Sequence, residues 1–274
     1  MCEPVLAFGS LIALSTGGAL GGAAVAIAAL MVGTWLVSLV LRNASIVDIT
    51  WGLGFVVVAW VSAVRADEAA GSASLMVAMI TLWGLRLGGY LFWRNHGKGE
   101  DYRYVAMRRH WGPRFWIISL ATVFGLQGVL MWVVSLPVQV SHVGEGRSGA
   151  ASLALVVVGL AIYLLGLGFE VIGDLQLARF KADPTHAGKV MRTGLWRYTR
   201  HPNYFGDCAQ WWGFYLIAVA GGAWWSVLGP VLMTVLLLRV SGVALLERDI
   251  GERRPAYAEY IRRTNAFIPG PRKD

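Results

Sequence analysis

The residues from Arg192 to Trp212 read RTGLWRYTRHPNYFGDCAQWW. A basic, aromatic loop (Arg192, Trp196, Arg197, Tyr198, Arg200, His201) runs directly into Pro202 and an apolar segment. Asn203, Asp207 and Gln210 recur there at helical spacing, so amides and a carboxylate share one face. Pro202 suits a first helical turn, where its missing N–H costs nothing, and His201 falls at the cap. A helix N-terminus preceded by cations is an anion site, which points to a junction that holds a phosphorylated cofactor. A plain positive-inside anchor accounts for the arginines but not for Asn203 and Asp207 inside an apolar segment.

Other polar side chains sit in equally apolar surroundings: Asp48, Arg86, Glu170 and Arg239, with Asp174 one turn beyond Glu170. Ionisable groups at membrane depth are costly and are functional candidates by default. Glu170 and Asp174 are like charges on one helix face, a destabilising pair unless hydroxyls, amides or cations satisfy them. Ribose hydroxyls would do so, and so would plain pairing with Arg179 or Lys181. Asp48 shares a face with Trp51 and Gly52, and burial against that aromatic wall favours the neutral, proton-donating form. Capping of its own helix near Ser45 is the plainer role for Asp48. The segment GEDYRY at residues 99–104 reads as a solvated turn. With Arg94 and Lys98, its Arg103 is also placed to reach a phosphate. No GxGxxG follows a strand and no Walker loop occurs, so no soluble nucleotide fold is indicated.

These groups need a scaffold, and composition names it. Hydrophobic residues make up 56% of the 274, charged ones 15%, and thirteen are Trp; the mean hydropathy is +0.56. That is the balance of a polytopic membrane protein, predicted to be all-α, a single seven-helix domain. The expected spans are about 19–41, 45–64, 71–93, 114–137, 150–173, 203–222 and 224–246. The Ser15–Gly18 stretch is expected to split off a short leading piece, and the apolar start, lacking a basic region, reads as a retained helix. Cys2 and Cys208 are too few for a disulfide framework, and no Cys/His spacing suggests zinc.

Lys and Arg test that count. Six lie between spans three and four, six between five and six, and seven in the tail, whereas Arg65 and Arg147 stand alone in the alternate loops. Seven spans put every basic segment on the cytoplasmic side, with the N-terminus outside and the tail inside. The net charge of +8 therefore reflects topology and not nucleic acid. On this topology the ionisable groups all fall in the cytoplasmic half, above an apolar floor whose nearest polar exception is Gln127. The basic tail, ERDIGERRPAYAEYIRRTNAFIPG, fits either an interfacial helix on anionic lipid or a lid over a cytoplasmic pocket.

The run GLWRYTRHPNYFGD followed by WWG resembles the steroid 5α-reductase family of membrane oxidoreductases, most closely its bacterial branch. SIVDITWGLGF at 45–55, GEDYRY at 99–104, FEVIGDLQLARFKAD at 169–183 and YAEYIRRTNAFIP in the tail carry the same resemblance, which spans most of residues 45–269. It implies an enzyme of the bacterial inner membrane that uses NADPH to reduce the carbon–carbon double bond of a 3-oxo-4-ene steroid or similar lipophilic enone. On the matching positions, Glu170 and Asp174 would contact the nucleotide, Lys181 and Lys189 its phosphates, Asn203 and Asp207 its nicotinamide side, and Arg239 would be a further cationic contact. Lys98, Arg103, Arg197, Tyr198 and His201 complete the expected cofactor set. The animal enzymes polarise the steroid carbonyl with a Gln-Glu pair and a Tyr. This chain has no such pair, and Asp48 and Tyr90 take its place by position, with Trp51 and Gln127 expected along the substrate pocket. Val243 and Glu247 stand where that family has His and Tyr. Isoprenylcysteine-type methyltransferases, which bind S-adenosylmethionine, carry a similar RHPxY segment and tail, and a non-catalytic lipid-binding or transport protein is the third reading.

Overall fold

Lipid offers no partner to a backbone N–H or C=O, so apolar runs of this length must satisfy those groups internally, as helices do. The computed structural model describes residues 3–64, 71–141, 149–240, 242–247 and 255–273, and among them there is no strand. Arg65, Arg147, Arg248, Arg253 and Arg254, used above to orient the chain, lie outside the described residues.

Helix α1 spans Glu3–Leu41, α2 Ile46–Val64, α3 Gly71–Asn95 and α4 Tyr102–Trp111. A 3-10 turn at Gly112–Arg114 leads into α5 (Phe115–Ser119), which passes through a π-helical stretch, Leu120–Gly125, into α6 (Leu126–Val134). Next come α7 (Leu136–Val140), α8 (Ala150–Ala182), α9 (Pro202–Ala220) and α10 (Leu228–Val235). A second π-helical stretch, Leu236–Val240, precedes α11 (Val243–Glu247), and α12 is Pro255–Arg263.

Six segments of the described residues are long and apolar enough to cross a membrane: Thr16–Leu41, Ile46–Val64, Ala73–Asn95, Tyr102–Val134, Ala150–Ala182 and Trp224–Glu247. The expected sixth span, α9, is a helix of 19 residues, but the polar face of Asn203, Asp207 and Gln210 keeps it outside that set. Two local expectations change. Helix α1 runs unbroken through Ser15–Gly18. The GEDYRY segment is not a free loop: Asp101 caps α4, its side chain accepting from the Arg103 N–H, so Tyr102, Arg103 and Tyr104 form a first helical turn.

The chain forms two compact units, residues 1–152 with 217–228 and residues 153–216 with 229–274. In the first, α2 packs against α1 and α3. A Cβ on Gly52 would lie 2.7 Å from the Gly84 carbonyl oxygen, and one on Gly84 2.5 Å from that of Gly52. The backbones therefore touch, and Trp83 and Phe55 fill the buried interior beside them.

The second unit uses the same device over a longer stretch. Helix α8 carries Gly159, Gly166 and Gly173 at intervals of seven, and α9 carries Gly206 and Gly213 at the same interval. A Cβ on Gly166 would fall 2.5 Å from Gly206 O, one on Gly206 2.4 Å from Gly166 O, and one on Gly213 2.6 Å from Gly159 O. Gly173 lies against the Pro202 ring, 3.1 Å from where a Cβ would be. Small residues at a helix crossing let backbones approach and dispersion forces act where lipid provides no hydrophobic drive.

That crossing can be tested by size. Gly206→Leu should lower stability by about 1–3 kcal/mol or prevent folding, because the colliding atoms are backbone. Gly168→Ala, on α8 with nothing within 4 Å of its Cβ position, should leave the thermal midpoint unchanged or raised. Thermal unfolding of detergent-purified protein checks both. Equal tolerance at the two sites would contradict the close crossing.

Candidate functional site

Among the described residues, both units hold clusters of polar side chains. In the second unit the α8–α9 crossing brings four of the polar residues together. Glu170 and Asp174 are 3% and 4% exposed. Gln210 Nε2 donates to Glu170 Oε2 at 2.7 Å, and Asn203 Nδ2 donates to Asp174 Oδ1 at 3.1 Å. Two buried carboxylates thus each receive an amide from α9, which answers the like-charge problem of the i, i+4 pair. Asp207, also buried, lies between Asn203 and Gln210 on α9. Gln210 Oε1 is buried with no hydrogen-bond partner among the described residues. Lys181, in the last turn of α8, and Lys189 and Arg197, in the loop before α9, are exposed. Tyr198 and Arg239 are exposed as well, Arg239 within the second π-helical stretch.

The cations just before α9 have other work. Arg200 is buried and bidentate on Glu247, at 2.7 and 2.9 Å, and its Nη1 donates to the Ile261 and Thr264 carbonyls. His201 is buried too, with Nε2 2.9 Å from Glu247 Oε1 and its ring stacked on Tyr204. His201 does cap the helix, its carbonyl accepting from the Phe205 N–H. Glu247 thus gathers both His201 and Arg200. No local pattern marks Glu247 as their partner, because Arg200 and Glu247 are 47 residues apart.

The tail is packed onto the loop before α9. Thr199 and Asn265 form a parallel bridge, the Arg200 N–H donates to Asn265 O, and the Gly270 N–H donates to Tyr198 O. Tyr257 and Tyr260 face inward from α12. Burial first, and then the negative field of Glu247, push the Tyr257 phenol up to about 12.

The first unit holds the second cluster. Asp48 Oδ2 accepts from Arg103 Nη2 at 2.6 Å, and Oδ1 accepts from the Tyr104 hydroxyl at 2.7 Å. Gln127 Nε2 donates to that hydroxyl at 3.3 Å, and Arg103 Nε donates to Asp101 at 2.9 Å. Both Asp48 oxygens are thus taken by side-chain donors from α4, and not by a backbone N–H of its own helix. Trp51 packs edge-on against Phe55. The phenol on Asp48 belongs to Tyr104; the Tyr90 ring lies between Arg86 and Arg94, at 5.4 and 5.8 Å, and against Trp93. Arg103 is held by two carboxylates, Asp48 and Asp101. Lys98 is exposed in the turn before α4.

This cluster is locked from outside by Glu100, which accepts from Arg108 twice at 2.9 Å and from the Ala44 N–H at 2.7 Å. The Asp101 N–H donates to Ser45, whose own N–H and hydroxyl donate to Asn43. The turn before α2 and the turn before α4 are thereby tied together. An aspartate at position 101 is a helix-start signal readable in the sequence; the Tyr104–Asp48 bond, 56 residues apart, has no local signal.

Over residues 34–264 the chain matches the family described as Protein of unknown function (DUF1295), and it belongs to that family. The chain is 24% identical over 282 residues to Uncharacterized protein C594.04c of Schizosaccharomyces pombe, an alignment covering 86% of this chain and 75% of that one. No solved structure matches it.

The turn-to-turn lock makes an acid-stability prediction. Burial alone raises Glu100, but the Arg108 and Ala44 hydrogen bonds and the Arg108 charge outweigh it and hold the carboxyl below its ordinary 4.5. Asp101 is likewise raised by burial and lowered further by Arg103 and Arg94, to below 3.8. Carboxyls depressed in the folded state give stability that is complete above their unfolded values and lost as pH falls through the folded ones. The thermal midpoint should hold from pH 7 down to about 5 and then fall. Glu100→Gln should have a lower midpoint at pH 7 and a shallower acid decline. An unchanged acid profile in that variant would remove Glu100 from the account.

Proposed function

We propose that this DUF1295-family chain is an NADPH-dependent membrane reductase that delivers hydride to the β-carbon of a lipophilic enone, a 3-oxo-4-ene steroid being the model substrate. The observation that carries the reading is the pair of buried carboxylates, Glu170 and Asp174, facing amides on α9 with lysines and an arginine at the solvent end.

The residues fit the dinucleotide by their chemistry. Ribose hydroxyls and a carboxamide are neutral groups that suit buried carboxylates and amides, and the unpartnered Gln210 Oε1 is an acceptor for an N–H or O–H. Phosphates need cations near water, where Lys181, Lys189 and Arg197 stand. When bound, NADPH supplies the hydride. Glu170 and Asp174 would contact the nucleotide and Asn203 and Asp207 its nicotinamide side, the protein contributing position and electrostatics. In the first unit Asp48 takes the Tyr104 O–H and orients Arg103, whose remaining guanidinium N–H groups are donors for a substrate carbonyl. Asp48 serves through Arg103.

S-adenosylmethionine-dependent methyl transfer is the second reading. A cationic cofactor favours acidic surroundings, and Glu170, Asp174 and Asp207 are three carboxylates. The Lys181, Lys189 and Arg197 group favours the anionic cofactor instead. The proposal also includes seven crossings, with α9 the sixth, the N-terminus outside and the tail in the cytoplasm of a bacterial inner membrane.

Thermal unfolding of purified protein should shift upward with NADPH and not with S-adenosylmethionine; the opposite preference moves the chain to the methyltransferase reading. Asp174→Asn should weaken NADPH binding by about tenfold to a hundredfold, the loss of a buried charge-assisted hydrogen bond. Asp48→Asn should keep NADPH affinity and lower enone turnover by roughly a hundredfold. Normal turnover in folded Asp48→Asn would exclude that cluster from the reaction.

A further inference from the structure

The C-terminal segment reaches the buried carboxylate site through a continuous set of hydrogen bonds inside the second unit. The Tyr260 hydroxyl, on α12, donates to the Trp196 carbonyl. The Trp196 indole N–H then donates to Gly173 O at 3.1 Å. Gly173 is the residue before Asp174 and the place where α8 meets Pro202 and the Asn203 N–H. A parallel tie runs one turn further along α8. Gln176 Oε1 accepts the Leu195 N–H at 3.0 Å, and Gly194 sits under that side chain at φ 61°. A Cβ on Gly194 would fall 2.3 Å from Gln176 Nε2, so both the space and the backbone angle call for glycine.

The other end of the loop is fixed just as firmly. Arg200 holds the Ile261 and Thr264 carbonyls, and Thr199 Oγ1 donates to Phe267 O at 2.8 Å. Trp196 and Thr199 are 8% and 0% exposed. The loop from Gly194 to His201 is thus clasped between the tail on one side and α8 on the other. That loop also delivers Pro202 and Asn203, the residues that meet Gly173 and Asp174.

We infer that Tyr260 and Arg200 are positioning residues: the tail, seated on the loop through them, sets the register of Asn203 against Asp174 and so the geometry of the nucleotide site. The inference rests on the nucleotide reading for what the site binds. The mechanical link from tail to α8 stands on the hydrogen bonds alone. A tail that served only as general stabilisation would, when loosened, destabilise the whole unit. A positioning tail loosens the Glu170–Ala178 stretch selectively.

The experiment compares wild type with Tyr260→Phe, which keeps the buried ring and removes one hydroxyl. Arg263→Gln, on the exposed side of the same helix, is the control. Amide hydrogen exchange is followed in detergent, and NADPH affinity is measured by equilibrium binding. Tyr260→Phe should speed exchange in residues 170–178 while leaving α2 and α3 unchanged. It should weaken NADPH binding by about threefold to tenfold, the size of one net hydrogen bond. Arg263→Gln should alter neither. If Tyr260→Phe proves poorly folded, Trp196→Phe breaks the next bond in the set and must give the same selective pattern.

Wild-type binding with no change in exchange or affinity in Tyr260→Phe overturns the inference. Uniformly faster exchange throughout the second unit overturns it as well, in favour of plain stabilisation. Failure of wild type to bind NADPH refutes the nucleotide reading instead, and the exchange pattern then decides the positioning claim by itself.

Discussion

Backbone contact between α8 and α9 is the constraint on which the second unit depends. Glycines 159 and 166 face glycines 213 and 206 so closely that a side chain would strike a carbonyl oxygen. Such proximity draws the two helices near enough for Gln210 to reach Glu170 and Asn203 to reach Asp174. Those amides offset part of the desolvation cost of two carboxylates on one face of a long apolar helix. The glycine seam and the polar site are thus one feature. The same residues that let the helices touch decide which polar groups meet.

The first unit is arranged differently. There the ion pairs gather where helices begin: Asp101 caps α4, Glu100 ties Arg108 to the turn before α2, and Asp48 receives Arg103 and Tyr104. A carboxylate so engaged fixes the orientation of the donors it holds. The loop before α9 shows the corresponding principle for cations. Arg200 and His201 converge on Glu247, so the Arg200 charge is paired within the protein. Lys181 and Lys189, farther out, stand at the surface, where an anionic ligand would meet them. Family membership agrees with a helical membrane protein and leaves the chemistry to be argued from these clusters.

Much of this is legible in the sequence because membrane depth simplifies the rules. Long apolar runs must be helical, and a carboxylate inside one stands out, which singles out Asp48, Glu170, Asp174 and Asp207 by position in the chain. Spacing places Asn203 and Gln210 on one face of α9. It does not say that Glu170 lies opposite, since that depends on a crossing between distant segments, although the seven-residue glycine interval on both helices carries the information. Charge density misleads at GEDYRY: acids and an arginine read as solvent-exposed, whereas Asp101 at a helix start and the pairing of Arg103 with Asp48 consume that charge internally. Position along the chain points to Tyr90, whereas Tyr104 provides the contact to Asp48. Glu247 stands out in the sequence as a departure from a pattern, and its partners are set by the folding of the tail onto the loop.

The central claim is that hydride passes from a nicotinamide held by this chain to an enone carbon. Turnover of a 3-oxo-4-ene steroid with NADPH deuterated at the nicotinamide C4 position, followed by mass spectrometry of the product, tests it most directly. With both C4 positions labelled, the product should gain one deuterium at the β-carbon, and Asp174→Asn should lower the yield of labelled product at limiting cofactor. A reduced product without deuterium, or a product bearing a methyl group from S-adenosylmethionine instead, would contradict the account.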